Sequence, residues 1–161
     1  MMPAFTIRHL SPIDYAPIIA VVDAWWGGRP MRGMLPRLFF SHFQPTSFVA
    51  EDAGELRGFL IGFLSQTYAD EAYIHFVGVH PAARSSGLGR QLYERFFAVV
   101  REHGRRVVRC VTAPVNTVSI AFHQRMGFAI DPGPADQAGV SVHPDYDGAG
   151  GARVLFVKHL A

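Results

Sequence analysis

The sequence is poor in cysteine and has no long apolar run, and each absence narrows what the protein can be. With a single cysteine, Cys110, the 161 residues cannot form an internal disulfide, which is typical of a reducing cytoplasm. Because Cys110 lies in the apolar run 107–111, we expect a buried thiol rather than a nucleophile. No run approaches the roughly 18 apolar residues of a membrane span, and residues 1–5 lack a signal-peptide core. We therefore expect a soluble cytoplasmic protein with no membrane partner.

Charge is also scarce, at 17% of the residues, with a formal net charge of +2. The cations are few and scattered, which argues against a nucleic-acid partner and suits an anionic cofactor. His42, His80 and His143 lack acidic neighbours at ligand spacing, so no metal site is expected. A hydrophobic content of 49%, without repeats or linkers, predicts one domain over residues 1–161.

The most informative segment runs from Tyr73 to His103. Its first seven residues, Tyr73–Val79, are rich in β-branched and aromatic side chains, which predicts a strand. From Gly87 onward apolar residues recur at helical spacing, and Gly104 is a natural stop. The sequence therefore predicts a strand, a glycine loop and a helix in immediate succession.

The loop that starts this helix has the features of an anion site. A helix N-terminus presents unpaired N–H groups and the positive end of the macrodipole. Gly87 and Gly89 let an anion reach the backbone amides. Arg84 adds a positive charge, and Ser85 and Ser86 add hydroxyl donors. We expect a phosphate or diphosphate here; the alternative is that the glycines only turn the chain.

Two nucleotide-binding motifs are excluded by the same loop. A Walker loop requires Gly-Lys-Ser/Thr, and the dinucleotide fingerprint requires a third glycine, where this chain has Leu92. Arg84, Gly87 and Gly89 instead match the Arg/Gln-x-x-Gly-x-Gly/Ala signature of the Gcn5-related N-acetyltransferase (GNAT) superfamily, between a strand and a helix as in that family. The sequence resembles this superfamily over nearly its whole length.

The resemblance implies an α/β (α+β) fold: a splayed mixed sheet of six or seven strands with helices on both faces. The element order predicted from the sequence, β-α-α-β-β-β-α-β-α-β-β, matches it from end to end. The implied cofactor is acetyl-coenzyme A (acetyl-CoA), with pantetheine along the backbone of the central strand and the diphosphate on the loop. The implied cofactor-binding residues are Val77, Gly78, Val79, Arg84, Ser85, Ser86, Gly87, Leu88, Gly89, Arg90, Asn116 and His123.

The central strand also supplies the candidates for chemistry. By resemblance the N–H of Val79 polarises the thioester carbonyl, and Gly78, which indicates a bulge or a close approach, eases access. Strand alternation places Tyr73 and His75 on one face with Val77. Tyr73 stands where Gcn5-type enzymes have a catalytic Glu, while serotonin N-acetyltransferase has histidines at the positions of Tyr73 and His75. His75 is therefore the candidate base, and the alternative is a structural histidine.

The predicted helix that begins at Asn116 carries a second resemblance to the superfamily. Asn116 suits an N-cap and Gly127 a C-terminal cap. The buried face is predicted to comprise Val118, Ala121, Phe122 and Met126. In the superfamily this asparagine contacts pantetheine, and a tyrosine seven residues later protonates the thiolate. In this sequence His123 stands at the position of that tyrosine. It could act as the acid, or it could be a cofactor contact or a surface residue.

The remaining segments supply the sheet and the acceptor side. The predicted strands cover 4–9, 47–51, 56–65, 105–112, 128–130 and 152–158, and the predicted helices begin at Ser11-Pro12 and cover 35–43. The first helix takes its apolar stripe from Ile13, Pro17, Ile18 and Val21 or Val22, and the segment Asp23-Ala24-Trp25-Trp26-Gly27-Gly28-Arg29-Pro30 breaks the pattern. Strand 56–65 is almost wholly apolar, which predicts a central strand buried on both faces.

Aromatic residues are the candidates for the acceptor site. In the superfamily the region between the first two helices roofs the acceptor pocket, so by resemblance Trp25 and Trp26, beside two glycines, form a wall of that pocket, with core or interface packing as the alternative. Tyr146 lies in the loop 131–151, which borders the acceptor site in relatives. Asp145 and Asp147 there could attract a cationic amine, or the segment could be a solvated turn.

Together these features predict an acetyl-CoA-dependent N-acetyltransferase that acts within a ternary complex on a primary amine of a small molecule, an amino acid derivative or a peptide. The alternative is a non-catalytic acyl-CoA binding or sensing domain, which the missing Glu and Tyr favour. Exposed aromatics around Trp25 and Phe39-Phe40 are compatible with a homodimer.

Overall fold

The computed structural model describes residues 4–161, so three of the five residues assessed for a signal peptide lie outside it. Four helices are described: α1 Tyr15–Trp25, α2 Arg37–His42, α3 Leu88–Glu102 and α4 Thr117–Arg125. The strands are β1 Thr6–His9, β2 Phe48–Asp52, β3 Glu55–Leu64, β4 Glu71–Val79, β5 Val107–Thr112, β6 Ala129–Asp131, β7 Ala135–Gln137, β8 Val140–Val142 and β9 Val154–His159. Seven strands form one mixed sheet in the order β1-β2-β3-β4-β5-β9-β6, while β7 and β8 form a separate pair.

The chain divides into two compact units. The first contains the residues up to Leu64 and Ile74–His103; the second contains Ser65–Tyr73 and Gly104–Ala161. Strand β4 begins in the second unit and ends in the first.

In the first unit β1, β2 and β3 form an antiparallel meander, and β4 follows β3 in the sheet. The turn between β2 and β3 uses Ala53 and Gly54 at φ of 51° and 80°, the left-handed geometry that two-residue hairpins require. Residues 58–62 of β3 are all buried, which confirms a central strand. Helix α3 buries a row of apolar side chains at helical spacing, Leu88, Leu92, Phe96 and Val100.

The start of this unit is held by one buried carboxylate. Asp14 is 5% exposed and accepts two hydrogen bonds from the Arg8 guanidinium, at 2.7 and 2.9 Å. It also accepts from the Ser11 amide at 2.8 Å, which caps the turn that leads into α1. Helix α1 continues to Trp25, so the predicted break begins at Trp26 rather than at Asp23, and Ile13 is 78% exposed rather than part of the apolar stripe.

In the second unit β4 pairs with β5 in parallel at Glu71, Ala72 and Tyr73 only. Strand β5 pairs antiparallel with β9, and β9 with β6. The predicted loop 131–151 contains the hairpin β7-β8, turned by Ala138 and Gly139 at φ of 52° and 82°. These strands are short and β7 is fully exposed, so no hydrophobic alternation marks them in the sequence.

Helix α4 begins after Asn116 and ends before Gly127, as predicted, but the predicted buried face is partly wrong. Val118 is 78% exposed and Ala121 is also exposed. The buried positions are Ile120, His123 and Met126, spaced three residues apart. Three-residue spacing puts them on one face of the helix, while Val118 lies on the solvent side.

Candidate active site

Strand β4 presents two different faces, as the alternation predicts. Ile74, Phe76 and Gly78 are buried, whereas Tyr73, His75 and Val77 are half-buried. The half-buried side chains are the ones that a bound molecule could reach.

The glycine inside β4 has a packing cause. A Cβ atom at Gly78 would lie 2.5 Å from Cε1 of Phe59 and 3.1 Å from Cη2 of Trp26. Both rings pack on this face, since Trp26 and Phe76 have centroids 4.7 Å apart and Phe59 stacks on Phe76 at 5.9 Å. The close approach predicted at Gly78 is therefore made on this face by two aromatic rings rather than by a ligand.

Within the first unit β4 is the outermost strand, and its second edge faces away from β3. The amide of His80 donates to the carbonyl of Arg57 at 2.8 Å, so this N–H points toward β3. Successive amides of a strand point to opposite edges, so those of Val77 and Val79 point away from β3. This is the orientation that pairing with an extended ligand requires.

Two residues of the loop between β4 and α3 have left-handed backbone conformations. Ser85 has φ 66°, and Gly87, the N-cap of α3, has φ 86°. The first bond of the helical ladder runs from the Gln91 amide to the Gly87 carbonyl at 3.1 Å. The amides of Leu88, Gly89 and Arg90 therefore have no intrahelical acceptor. A Cβ at Gly87 would have no atom within 4 Å, so an anion can approach the helix start.

Two polar side chains of the loop, Arg84 and Ser86, already have hydrogen-bond partners within the protein. Nη2 of Arg84 donates to the carbonyl of Trp25 at 2.5 Å, and its Nε lies 3.4 Å from the carbonyl of Val79. The hydroxyl of Ser86 donates to the carbonyl of Ala83. Arg84 thus holds the loop to the end of α1. Arg90 is the cation at the helix start, exposed and 3.8 Å from Glu94.

His75 is held on two sides by the segment between α1 and β2. Its Nε2 lies 2.5 Å from the carbonyl oxygen of Met34. Its ring stacks on Phe39, with centroids 4.3 Å apart and planes 10° from parallel. Burial lowers the pKa of His75 below the ordinary value, partly offset by the Met34 hydrogen bond. The ring is therefore neutral at neutral pH.

The two tryptophans are placed differently. Trp25 is 6% exposed and belongs to the hydrophobic core, so the prediction that it walls the acceptor pocket is wrong and the core alternative is right. Trp26 is half-buried and packs on Phe76. Helix α1 extends as far as Trp25 and turns that side chain into the core.

In the second unit, Tyr73 is half-buried at the start of β4. Burial raises the pKa of the Tyr73 phenol, with further contributions from Tyr146, Cys110 and Asp147. At neutral pH this side chain is a hydrogen-bond donor and not a proton acceptor.

The loop before β9 is ordered by its own contacts. Asp147 forms an ion pair with Arg153 at 2.9 Å, and the side chain of Asp145 accepts from the Gly150 amide at 2.7 Å. Tyr146 is 47% exposed, and its ring lies 6.3 Å from that of His143. Both carboxylates that were predicted to attract a cationic amine, Asp145 and Asp147, therefore have partners close to them in the chain.

The predicted pair on α4 is also occupied. The side-chain oxygen of Asn116 accepts from the Ser119 amide at 3.2 Å, the predicted N-cap. His123 is 6% exposed, which rules out the surface alternative. Its Nδ1 lies 2.7 Å from the Ser119 carbonyl, its ring stacks on Phe156, and burial lowers its pKa. A neutral, buried ring of this kind is a poor proton donor.

Three further predictions concerned the cysteine, metal ligands and membrane-spanning segments. Cys110 is buried and its pKa is raised by burial, which confirms a core thiol. Over residues 4–161 no group of three or more His, Cys, Asp or Glu side chains could hold a metal ion. Among the helices that the structure describes, none has the length and apolar character needed to cross a membrane.

Two contributors to the site were not assigned to it from the sequence, where Phe39 was expected only as an exposed aromatic; Phe39 is half-buried, and Trp25 and Phe40 of that expected surface are buried. Met34 offers its backbone carbonyl, which has no sequence signal, and Phe39 lies on a short helix far from His75 in the chain.

Comparison with known proteins identifies the family. A model of the Acetyltransferase (GNAT) family matches residues 18–128, more than half of the chain. The protein therefore belongs to the GNAT acetyltransferase family, and the predicted resemblance is confirmed.

Curated relatives match part of their length. The L-2,4-diaminobutyric acid acetyltransferase of Nocardia farcinica is 32% identical over 107 residues, covering 64% of this chain and 55% of that protein. The 5-NmdU N-acetyltransferase of Pseudomonas phage PaMx11 is 37% identical over 82 residues, covering 51% of this chain and 56% of the phage protein. The chain thus spans about half the length of these relatives.

Solved structures match over nearly the whole chain. Ard1 from Thermoplasma volcanium has a TM-score of 0.78 at 23% identity and covers 98% of this chain and 99% of its own. The diaminobutyrate acetyltransferase EctA from Paenibacillus lautus, solved with L-2,4-diaminobutyric acid and coenzyme A, has a TM-score of 0.69 at 17% identity, over 96% of this chain and 94% of its own. These likenesses confirm the predicted mixed α/β fold.

Proposed function

We propose that the chain is an acetyl-CoA-dependent N-acetyltransferase that transfers the acetyl group directly, within a ternary complex, to a primary amine. The observation that carries the proposal is the arrangement at the end of β4. The edge of β4 that faces away from β3 leads into a left-handed loop and a helix start open to an anion, in a member of the GNAT family. The family match runs from residue 18 to 128, which supports treating the chain as one acetyltransferase domain.

The residues of the first unit suit this cofactor. The amides of Leu88, Gly89 and Arg90 would receive the diphosphate, with Arg90 as a nearby positive charge. The edge of β4 at Val77 and Val79 would pair with the pantetheine amides. Gly87 has no Cβ to obstruct the approach, which supports the fit. Arg84 is a brace for this loop, because its guanidinium is bonded to the carbonyls of Trp25 and Val79.

The proposed chemistry divides among three groups. Acetyl-CoA supplies an acetyl thioester when bound. The Val79 amide is placed to donate a hydrogen bond to a developing oxyanion, because it points away from β3. His75, neutral at neutral pH, accepts a proton from the ammonium form of the acceptor, so that the free amine can attack. Tyr73, in the second unit, stays protonated at neutral pH and can donate a hydrogen bond but not act as the base.

The names of relatives support a class of acceptor. One is named for L-2,4-diaminobutyric acid, and another for L-methionine sulfoximine and L-methionine sulfone, all of which carry an amino group on a small molecule. We propose the same class for this chain: a small-molecule amine, an amino acid derivative or a peptide amine. We also propose a cytoplasmic location, which the single cysteine supports. We propose no nucleic-acid partner and no membrane partner.

The test combines binding with turnover. Purified protein is titrated with acetyl-CoA by calorimetry, and release of free thiol is then followed with a panel of primary amines that includes L-2,4-diaminobutyric acid. We expect saturable binding and thiol release with at least one amine. Tight binding without release for every amine, unaffected by His75→Ala, would favour the acyl-CoA sensor. An absence of binding would overturn both.

A further inference from the structure

The ring of His75 is fixed by two contacts that constrain different properties. The Met34 carbonyl lies 2.5 Å from Nε2 and so constrains which nitrogen carries a hydrogen. The Phe39 ring stacks at 4.3 Å and 10° and so constrains the plane of the imidazole. All three residues belong to the first unit.

The carbonyl contact determines the tautomer. A carbonyl oxygen has no hydrogen and can only accept, so a bond of 2.5 Å requires hydrogen on Nε2. A neutral imidazole has one N–H, so its lone pair for accepting a proton is on Nδ1. Protonation adds a hydrogen to Nδ1 and leaves the Nε2–H bond to Met34 unchanged. The contact is thus compatible with both charge states.

The stacking partner is itself supported from the sheet. Phe39 meets Phe43 edge-on at 4.8 Å, and Phe43 meets Phe63 of β3 at 5.4 Å. A row of three rings therefore connects β3 to the imidazole. A histidine that only filled space would need no such combination of a fixed tautomer and a fixed plane on the accessible face of β4.

We propose that the Met34 carbonyl and the Phe39 ring select the Nε2–H tautomer of His75 and present Nδ1 as the atom that takes the proton from the acceptor ammonium. Phe39 is a positioning residue, since it acts through His75. This inference rests on the proposed acetyltransferase function. In the step itself one N–H bond of the ammonium breaks and one Nδ1–H bond forms; the proton then passes from the imidazolium to water.

The tautomer can be measured without turnover. Nitrogen-15 labelled protein is examined by two-bond proton–nitrogen correlation above the pKa of His75, where the ring is neutral. The chain has eight histidines, so the His75 signals are assigned by their loss in His75→Gln. We expect a protonated-type Nε2 and an unprotonated-type Nδ1. A hydrogen on Nδ1, or an average of the two forms, would overturn the proposal.

The role of Phe39 is tested with matched variants. Phe39→Leu removes the stack but keeps an apolar side chain. Without the stack the imidazole plane is free to turn and Nε2 can leave the Met34 carbonyl, so we expect averaging of the His75 tautomers and a fall in kcat of about tenfold, with the KM for acetyl-CoA unchanged. Phe39→Tyr restores the stack and should restore both readouts. Leu38→Ala, on the same helix, is the control and should match the parent. A parent-like tautomer and kcat in Phe39→Leu would contradict the positioning role.

The glutamine variant separates chemistry from structure. In His75→Gln the amide nitrogen can still donate to Met34, but no group remains to accept a proton. We expect kcat to fall roughly 100-fold or more, with acetyl-CoA affinity and melting temperature close to the parent. Parent-like turnover would remove His75 as the base. Calorimetry keeps the two proposals apart: absent acetyl-CoA binding overturns the function, whereas normal binding with the wrong tautomer overturns only this inference.

Discussion

The guanidinium of Arg84 donates to the backbone carbonyl of Trp25 at 2.5 Å, which joins the glycine loop to the end of helix α1. The arginine of the family signature therefore has a partner inside the protein. Carbonyls at a helix C-terminus are unpaired acceptors at the negative end of the macrodipole, so a cation there is stabilising. The loop that would hold a diphosphate is thus braced against the helix that precedes Trp26.

Replacing Arg84 with another cation should loosen the end of α1 although the positive charge is kept. In Arg84→Lys the positive charge remains but the fork that reaches both carbonyls is lost, and we expect a loss of about 1 kcal/mol of stability. Trp25 and Trp26 are the two tryptophans of the chain, so their fluorescence reports on this helix end. We expect a shift in tryptophan emission for Arg84→Lys and none for the control Arg90→Lys. Unchanged emission in both would show that the brace does not hold α1.

Gly87 allows a test of the anion site with two side chains of the same shape. Its φ of 86° is tolerated by Asn better than by most residues, so Gly87→Asn should fold. Gly87→Asp differs by one negative charge at the helix start, where it would repel a diphosphate. We expect the aspartate variant to bind acetyl-CoA at least roughly tenfold more weakly than the asparagine variant. Equal dissociation constants in calorimetry would place the diphosphate elsewhere.

Gly78 should be intolerant of a side chain because of Phe59. The added Cβ of Gly78→Ala would lie 2.5 Å from Cε1 of that ring, and overpacking of this kind costs about 1–3 kcal/mol. Denaturant unfolding measures the loss. Gly33→Ala is the control, because a Cβ there has no neighbour within 4 Å. Combining Gly78→Ala with Phe59→Leu should recover part of the stability, and strictly additive losses would argue against a direct clash.

His123 should make the protein less stable in acid. Burial lowers its pKa in the folded state, so the unfolded chain binds more protons as pH falls. Its contribution is complete above the ordinary histidine pKa of about 6.5 and is lost as the pH falls toward the lower folded value. We expect His123→Phe to reduce the dependence of the unfolding free energy on pH across this window. An identical pH dependence in parent and variant would show that His123 is not buried in its neutral form.

The sequence was sufficient where a local pattern determines the structure. Alternation in β4 placed His75 on the accessible face, and the left-handed Gly87 marked the start of α3. It was insufficient where the partner is distant in the chain: Met34 contacts His75 through a backbone atom, and Phe39 is one of 13 phenylalanines. The buried face of α4 was partly mispredicted because His123, a polar residue, occupies a buried position and so interrupts the apolar pattern of the helix.

The pH dependence of turnover follows from the environment of His75. Because burial lowers its pKa, the neutral base persists below the ordinary histidine value. We expect kcat/KM for the acceptor to retain a plateau down to a pH below about 6.5 before it falls. The comparison is with His75→Gln, whose residual rate should lack this acidic limb. An acidic limb centred above that value in the parent would mean that another group is the base.

The central claim is that acetyl-CoA binds at the start of α3, and calorimetric titration of the purified protein with acetyl-CoA tests it most directly. The account predicts a saturable heat of binding to one site per chain, retained in Gly87→Asn and weakened in Gly87→Asp. No heat of binding by the parent protein at two temperatures, or equal binding by all three proteins, would contradict it.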